Sequence, residues 1–279
     1  MSIATEASAL TANAGGITTN YHDVGPRDGA PVLMLHGSGP GVSAWANWRL
    51  NMGPLAEQGY RVLAPDLVGF GYTERPADVY YSLDTWRDHV FAFLDALELG
   101  RVSIVGNSLG GRIALAMAGH RPERVRQMVL MGSPGVGMTV TDGLKALRAY
   151  TPSEENMRQL LLECFAVDKS IITDDLVRTR YQASVADGAF EAYQDMFFSD
   201  RHAGGQLGIT EEQTRAIETP SLLVHGREDK VVPVEVAWNM VRMLPDADLA
   251  VFARCGHWTQ IERADDFNRL VGGWFARRS

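Results

Sequence analysis

Short apolar runs recur along the chain, and each stops at a glycine, a proline or a polar residue. Val32–Leu35 ends at His36-Gly37, Arg61–Ala64 at Pro65-Asp66 and Val102–Val105 at Gly106-Asn107. Gln127–Met131, Ser221–Val224 and Leu249–Phe252 follow the same plan. Unbroken apolar runs of this length predict parallel strands covered on both faces. Thr18–His22 alternates weakly and predicts an earlier strand. Between the runs lie amphipathic stretches. Leu83–Leu97 puts Trp86, Val90, Phe93, Leu94 and Leu97 on one face, and Phe267, Leu270, Val271, Trp274 and Phe275 repeat at helical spacing near the C-terminus. Both stripes read as core packing. Strand alternating with helix predicts an α/β, doubly wound, mostly parallel sheet with ligands at the carboxyl ends of its strands.

The alternation stops between Val136 and Glu212, where the pattern is helical only and rich in Met, Leu and aromatic residues. It resumes after Pro220. The chain therefore divides into a loosely ordered N-terminus (1–15), a core (16–135 and 213–279) and an inserted helical cap (136–212) over the active end of the sheet.

Charge and cysteine usage narrow the classes. A net charge of −8, with no basic patch, excludes an ordinary nucleic-acid binder. An anionic ligand must then meet locally placed cations rather than a favourable overall field. Cys164 and Cys255 are the only cysteines and form no CxxC, so neither a disulfide framework nor a metal cluster is expected, and the reducing cytoplasm is the expected compartment. The first residues lack the pattern of a signal peptide, and no apolar run reaches the length of a membrane span.

Gly106-Asn107-Ser108-Leu109-Gly110 sits between a predicted strand and a predicted helix, the context a nucleophile elbow requires. The alternative is a plain glycine-rich turn. A nucleophilic serine needs a base, and the base an orienting acid. His257 follows the last apolar run and is the candidate base. Asp229, directly after the strand ending at His225, is the candidate acid, with Glu228 its competitor. His22, His89, His120 and His202 lie in polar surroundings and are expected at the surface, and His225 is expected to be a packed strand-end residue. Two backbone N–H groups must hold the oxyanion. Leu109 supplies one, and Ser38, in the bare loop His36-Gly37-Ser38-Gly39-Pro40-Gly41, is the candidate for the other. A phosphate-binding turn is the weaker reading of that loop, because no GK[ST] or GxGxxG follows. In Asp174–Ser184, helical spacing puts Arg180 on one face with Leu176, Val177, Tyr181 and Ser184, while Arg178 points outward. Arg180 then offers a planar fork to a carboxylate, or else snorkels to the surface.

The segments HGSGPG, GNSLGG, HGREDKVVP and GHW resemble the α/β-hydrolase family from about Gly16 to the C-terminus. HGSGPGVSAWANW (36–48), with Asn107 before the serine and Trp258 after the histidine, is similar more narrowly to the meta-cleavage product hydrolases. That resemblance implies hydrolysis of the C5–C6 carbon–carbon bond of a 2-hydroxy-6-oxohexa-2,4-dienoate, without a cofactor. It also implies that Arg180, Asn47, Asn107 and Trp258 bind the dienoate end, and that the chain forms a homodimer or higher homo-oligomer. Asn107 has an alternative role in shaping the turn, and Trp258 one as a core aromatic beneath the cap. Segment 36–48 looks closer to members acting on alkyl-substituted or semialdehyde products. A carboxylesterase or lactonase of the same fold is the first rival. A ligand-sensing relative that binds a partner on its cap is the second.

Overall fold

The computed structural model describes residues 9–198 and 209–278. Its strands are β1 (Leu10–Ala14), β2 (Ile17–Val24), β3 (Pro31–Leu35), β4 (Arg61–Pro65), β5 (Val102–Asn107), β6 (Val125–Met131), β7 (Ser221–Gly226) and β8 (Ala247–Phe252). They form one sheet in the order β1-β2-β4-β3-β5-β6-β7-β8. The β1–β2 and β2–β4 pairs are antiparallel, and every later pair is parallel. Helices α1 (Ala44–Trp48) and α2 (Met52–Ala56) precede β4, α3 (Leu83–Ala96) precedes β5, and α4 (Leu109–His120) links β5 to β6. The insertion carries α5 (Asp142–Arg148), α6 (Glu154–Leu160), α7 (Asp174–Ser184), α8 (Ala189–Phe198) and α9 (Glu211–Arg215). Helix α10 (Val234–Val241) lies between β7 and β8, and α11 (Thr259–Glu262) and α12 (Ala264–Arg277) close the chain.

The period of two along a strand sorts side chains to the two faces of the sheet. Leu33 and Leu35 join a core with Phe93 of α3, Ile113 of α4 and Met240 of α10. Val32 and Met34 face the other way, onto Trp48 of α1 and Phe267 and Trp274 of α12. A third cluster belongs to the insertion. Met157, Leu160, Leu161 and Phe165 pack with Val231, Val232 and Trp258 of the core, so the insertion sits as a cap against the loops that follow β7 and β8. Thr141, Ser153, Thr173 and Thr210 cap α5, α6, α7 and α9, each side chain accepting from a backbone N–H of the first turn.

Two expectations are corrected here. Leu10–Ala14, expected to be loosely ordered, forms the edge strand β1 and pairs with β2 across a tight Gly15-Gly16 turn. His22 and His89, expected at the surface, are buried. The His89 Nε2 lies 2.8 Å from the Thr19 Oγ1, pinning α3 to β2, and burial pushes its pKa down to about 4. His22 packs against Trp45, with ring centroids 5.4 Å apart. His120 is exposed, and His202 lies outside the described residues.

Candidate active site

The turn between β5 and α4 holds Ser108 at φ 51°, ψ −113°. A non-glycine residue there carries backbone strain on the order of 1–3 kcal/mol, which persists only where the surroundings over-determine it. They do so here. The Ser108 N–H donates to the Met131 carbonyl (2.8 Å), and the Asn107 Nδ2 donates to the same oxygen (3.3 Å). One Asn107 N–H is thus taken up in shaping the elbow. The flanking glycines are demanded by close approach. A Cβ on Gly106 would lie 2.5 Å from the Gly110 carbonyl carbon, and one on Gly110 would overlap the Leu35 carbonyl oxygen. Leu109 is the first residue of α4, so its N–H has no acceptor within the helix. Ser38, Ser108 and Leu109 border one cavity of about 180 Å³.

Asp229 and His257 follow the ends of β7 and β8 and meet although 28 residues apart. The His257 Nδ1–H donates to Asp229 Oδ2 at 2.7 Å. The other carboxylate oxygen accepts from the N–H groups of Val231 (2.8 Å) and Val232 (2.9 Å). Burial alone would raise the Asp229 pKa, but the charge and hydrogen bonds of His257 and His225 outweigh it and hold the group well below the usual carboxylate range. His225 is packed at its strand end, its Nε2–H donating to the Val232 carbonyl (2.8 Å). Glu228 turns away from the imidazole. It pairs with Arg227 and accepts from the Cys255 N–H at 3.1 Å, bracing the loop that carries His257.

The glycine loop joins this machinery to Arg180. His36 anchors the loop, its Nδ1–H donating to the Gly37 carbonyl (2.7 Å) while Nε2 accepts from the Leu67 N–H (3.0 Å). Burial lowers its pKa to about 4 and keeps it neutral. At one end of the loop, a Cβ on Gly37 would lie 3.2 Å from the Ser108 Cβ. At the other, Gly39 comes close to the Arg180 guanidinium, and a Cβ on Gly41 would overlap the Arg180 carbonyl oxygen. Cap helix α7 therefore rests its backbone on the loop.

Arg180 is buried and stands over the Trp258 ring, 5.3 Å from its centroid, and Arg178 is exposed. Among the described residues no carboxylate lies within ion-pairing distance of Arg180, and its Nε has no hydrogen-bond partner. Burial, and then the nearby positive charge of Arg49, lower its pKa to about 10. Asn47 is likewise buried with Nδ2 unpartnered, and its carbonyl accepts from Gln260, two residues beyond Trp258 (3.5 Å). The Arg180 Nε and the Asn47 Nδ2 are thus two buried donors without a protein partner among the described residues. Trp258 also stacks on Phe165 of the cap, with ring centroids 4.6 Å apart.

Three contributors escaped the sequence reading. Arg49 adds a second positive charge near Arg180, and its signal was its place just after Asn47-Trp48. Glu262 fastens the cap. Its Oε1 accepts from the Gly256 N–H (2.7 Å), and its Oε2 from those of Val167 (2.7 Å) and Asp168 (3.0 Å). The Phe165 carbonyl accepts from the N–H groups of His257 (2.8 Å) and Trp258 (3.3 Å), a backbone contact with no sequence signal. Among the described residues no group of three His, Cys, Asp or Glu side chains could hold a metal ion. Among the same residues no helix is long and apolar enough to cross a membrane.

The family profile described as alpha/beta hydrolase fold matches residues 30–264. The 2-hydroxymuconate semialdehyde hydrolase of Pseudomonas sp. strain CF600 is 49% identical to this chain over 94% of it and 92% of that protein. The 2-hydroxy-6-oxo-2,4-heptadienoate hydrolase of Pseudomonas putida is 47% identical over 94% of both. A crystal structure of the meta-cleavage product hydrolase of Pseudomonas fluorescens superposes with a TM-score of 0.92, at 48% identity over 97% of this chain and 98% of that one. The chain belongs to the α/β-hydrolase family, among its meta-cleavage product hydrolases. In this hydrolase one glycine loop touches the elbow serine at Gly37 and Arg180 at Gly39 and Gly41, while the Asp229–His257 pair lies against Gly132.

Proposed function

We propose that this hydrolase cleaves the C5–C6 bond of 2-hydroxy-6-oxohexa-2,4-dienoates with Ser108, His257 and Asp229 as its triad. Arg180 carries the reading. It is a buried guanidinium with no carboxylate partner among the described residues, stacked on Trp258 and joined to Ser108 through the loop of Gly37, Gly39 and Gly41. An ester hydrolase has no use for such a cation. A dienoate has, because its leaving carbon must not depart as a bare carbanion. Arg180, Asn47, Asn107 and Trp258 hold the C1 carboxylate and the C2 oxygen. Proton transfer from the C2 hydroxyl to C5 gives the 2-oxo form, and the guanidinium stabilises the oxygen anion formed on the way.

The Ser108 Oγ then attacks C6 while His257 takes its proton, and Asp229 holds the resulting imidazolium. The N–H groups of Ser38 and Leu109 hold the C6 oxyanion. Breaking the C5–C6 bond sends its electron pair into the 2-oxo acid, and protonation releases 2-hydroxypenta-2,4-dienoate. Water, deprotonated by His257, frees the C6 acyl group from Ser108 as a carboxylic acid. The two buried, unpaired cysteines are consistent with a cytoplasmic location.

Loss of dienolate absorbance on mixing with a ring-fission product, against turnover of p-nitrophenyl esters, tests the reaction class. Ser108→Ala is expected to lower kcat by about a thousand-fold or more. Near-wild-type turnover in that variant would remove Ser108 as nucleophile.

A further inference from the structure

Arg112 is a second guanidinium with no assigned task. It lies four residues after Ser108 on α4, one turn farther along the same face, about 6 Å down the helix axis. Its side chain borders the same cavity as Ser108, Ser38 and Leu109. The C6 carbonyl must sit at those three residues, so the other substituent on C6 enters this cavity. Arg180 is not part of its wall. The remaining wall is largely apolar, and Leu144 and Leu147 of the cap contribute to it.

Charge in the wall is one-sided. Arg112 and Arg148 border the cavity, and among the described residues no aspartate or glutamate does, in a chain whose net charge is −8. Arg148 is exposed, whereas Arg112 is half-buried. Among the described residues the Arg112 side chain has neither an ion pair nor a hydrogen bond to a protein group. Burial lowers its pKa to about 10, which leaves it charged at neutral pH. A half-buried guanidinium without a protein acceptor pairs with water or with a ligand, and a carboxylate ligand gives it a charge-assisted hydrogen bond.

We propose that the C6 substituent this enzyme selects is a short chain ending in a carboxylate, paired with Arg112. This rests on the dienoate reading above and adds a second anionic pole to the substrate. Arg180 takes the dienoate carboxylate, and Arg112 takes the one on the tail.

The test compares kcat/KM for two dienoates of matched size, with 6-(2-carboxyethyl) and 6-(3-methylbutyl) substituents. Wild type is expected to favour the carboxylate by about ten-fold or more, and Arg112→Met to lower that ratio by about 10- to 100-fold. Arg112→Lys, which keeps the charge but not the planar fork, is expected to hold an intermediate ratio. A wild-type ratio at or below unity overturns the inference without recourse to any variant. So does an Arg112→Met enzyme that slows both substrates equally, since Arg112 would then serve the dienoate end or the fold. If wild type turns over neither dienoate, the parent reading fails, and this inference falls with it. Turnover of both without discrimination sinks this inference alone.

Discussion

Replacing Arg180 with Met separates what its guanidinium costs the fold from what it does for the ligand. Burial, and then Arg49, bring its pKa from 12.5 to about 10. At about 1.4 kcal/mol per unit, carrying the charge in the folded chain at neutral pH costs about 3 kcal/mol. Stacking on Trp258 returns about 1 kcal/mol of this. Met keeps most of the aliphatic stem, so relief of some 2 kcal/mol should raise Tm by roughly 3 °C. Activity moves the other way. Losing a charge-assisted pairing with the dienoate, worth about 1.5–3 kcal/mol, lowers kcat/KM by about 10- to 150-fold. Thermal unfolding followed by circular dichroism, and stopped-flow decay of the dienolate absorbance, measure the two effects on one preparation. A variant that melts at or below the wild-type temperature and keeps its kcat/KM would refute both the buried-cation account and the ligand role.

Two further outcomes follow from the same geometry. Glu262→Ala removes the carboxylate that ties Gly256 to Val167 and Asp168, so the loop carrying His257 loosens. The expected loss is about 10- to 100-fold in kcat with a smaller change in KM, partly rescued by Glu262→Gln, and an unchanged kcat would show that the tie does not position the imidazole. His36 and His89 both have folded pKa values of about 4 against an ordinary 6.5. Between those values the unfolded chain binds more protons, so stability is intact above pH 6.5 and falls as the pH drops toward 4, by up to about 3 kcal/mol for each histidine. Urea midpoints at several pH values across that window check it, and a flat profile would contradict their burial as neutral groups.

The strands β3 to β8 were legible because each is an apolar run with a turn residue at its end. Edge strand β1 was not, since Leu10–Ala14 is small and half polar. Its one signal was Gly15-Gly16, both with positive φ, joining it to β2 as a hairpin. The inward face of α7 was readable from spacing alone, and the buried Arg180 and exposed Arg178 follow it. His89 could not be placed that way, because its partner Thr19 lies 70 residues earlier in the chain. The cavity wall was equally hidden. Only the fold brings Arg112 of α4 and Leu144 of the cap to the same space beside Ser108.

A cap that swung off the core like a rigid door would tear the Phe165 oxygen from the amides of His257 and Trp258. Every opening would then unseat the imidazole, and every closing would have to rebuild it. On the other flank Met138, Thr139 and Val140 border the cavity, and Val140 is half exposed. The cap is moored to the core on the side that carries His257.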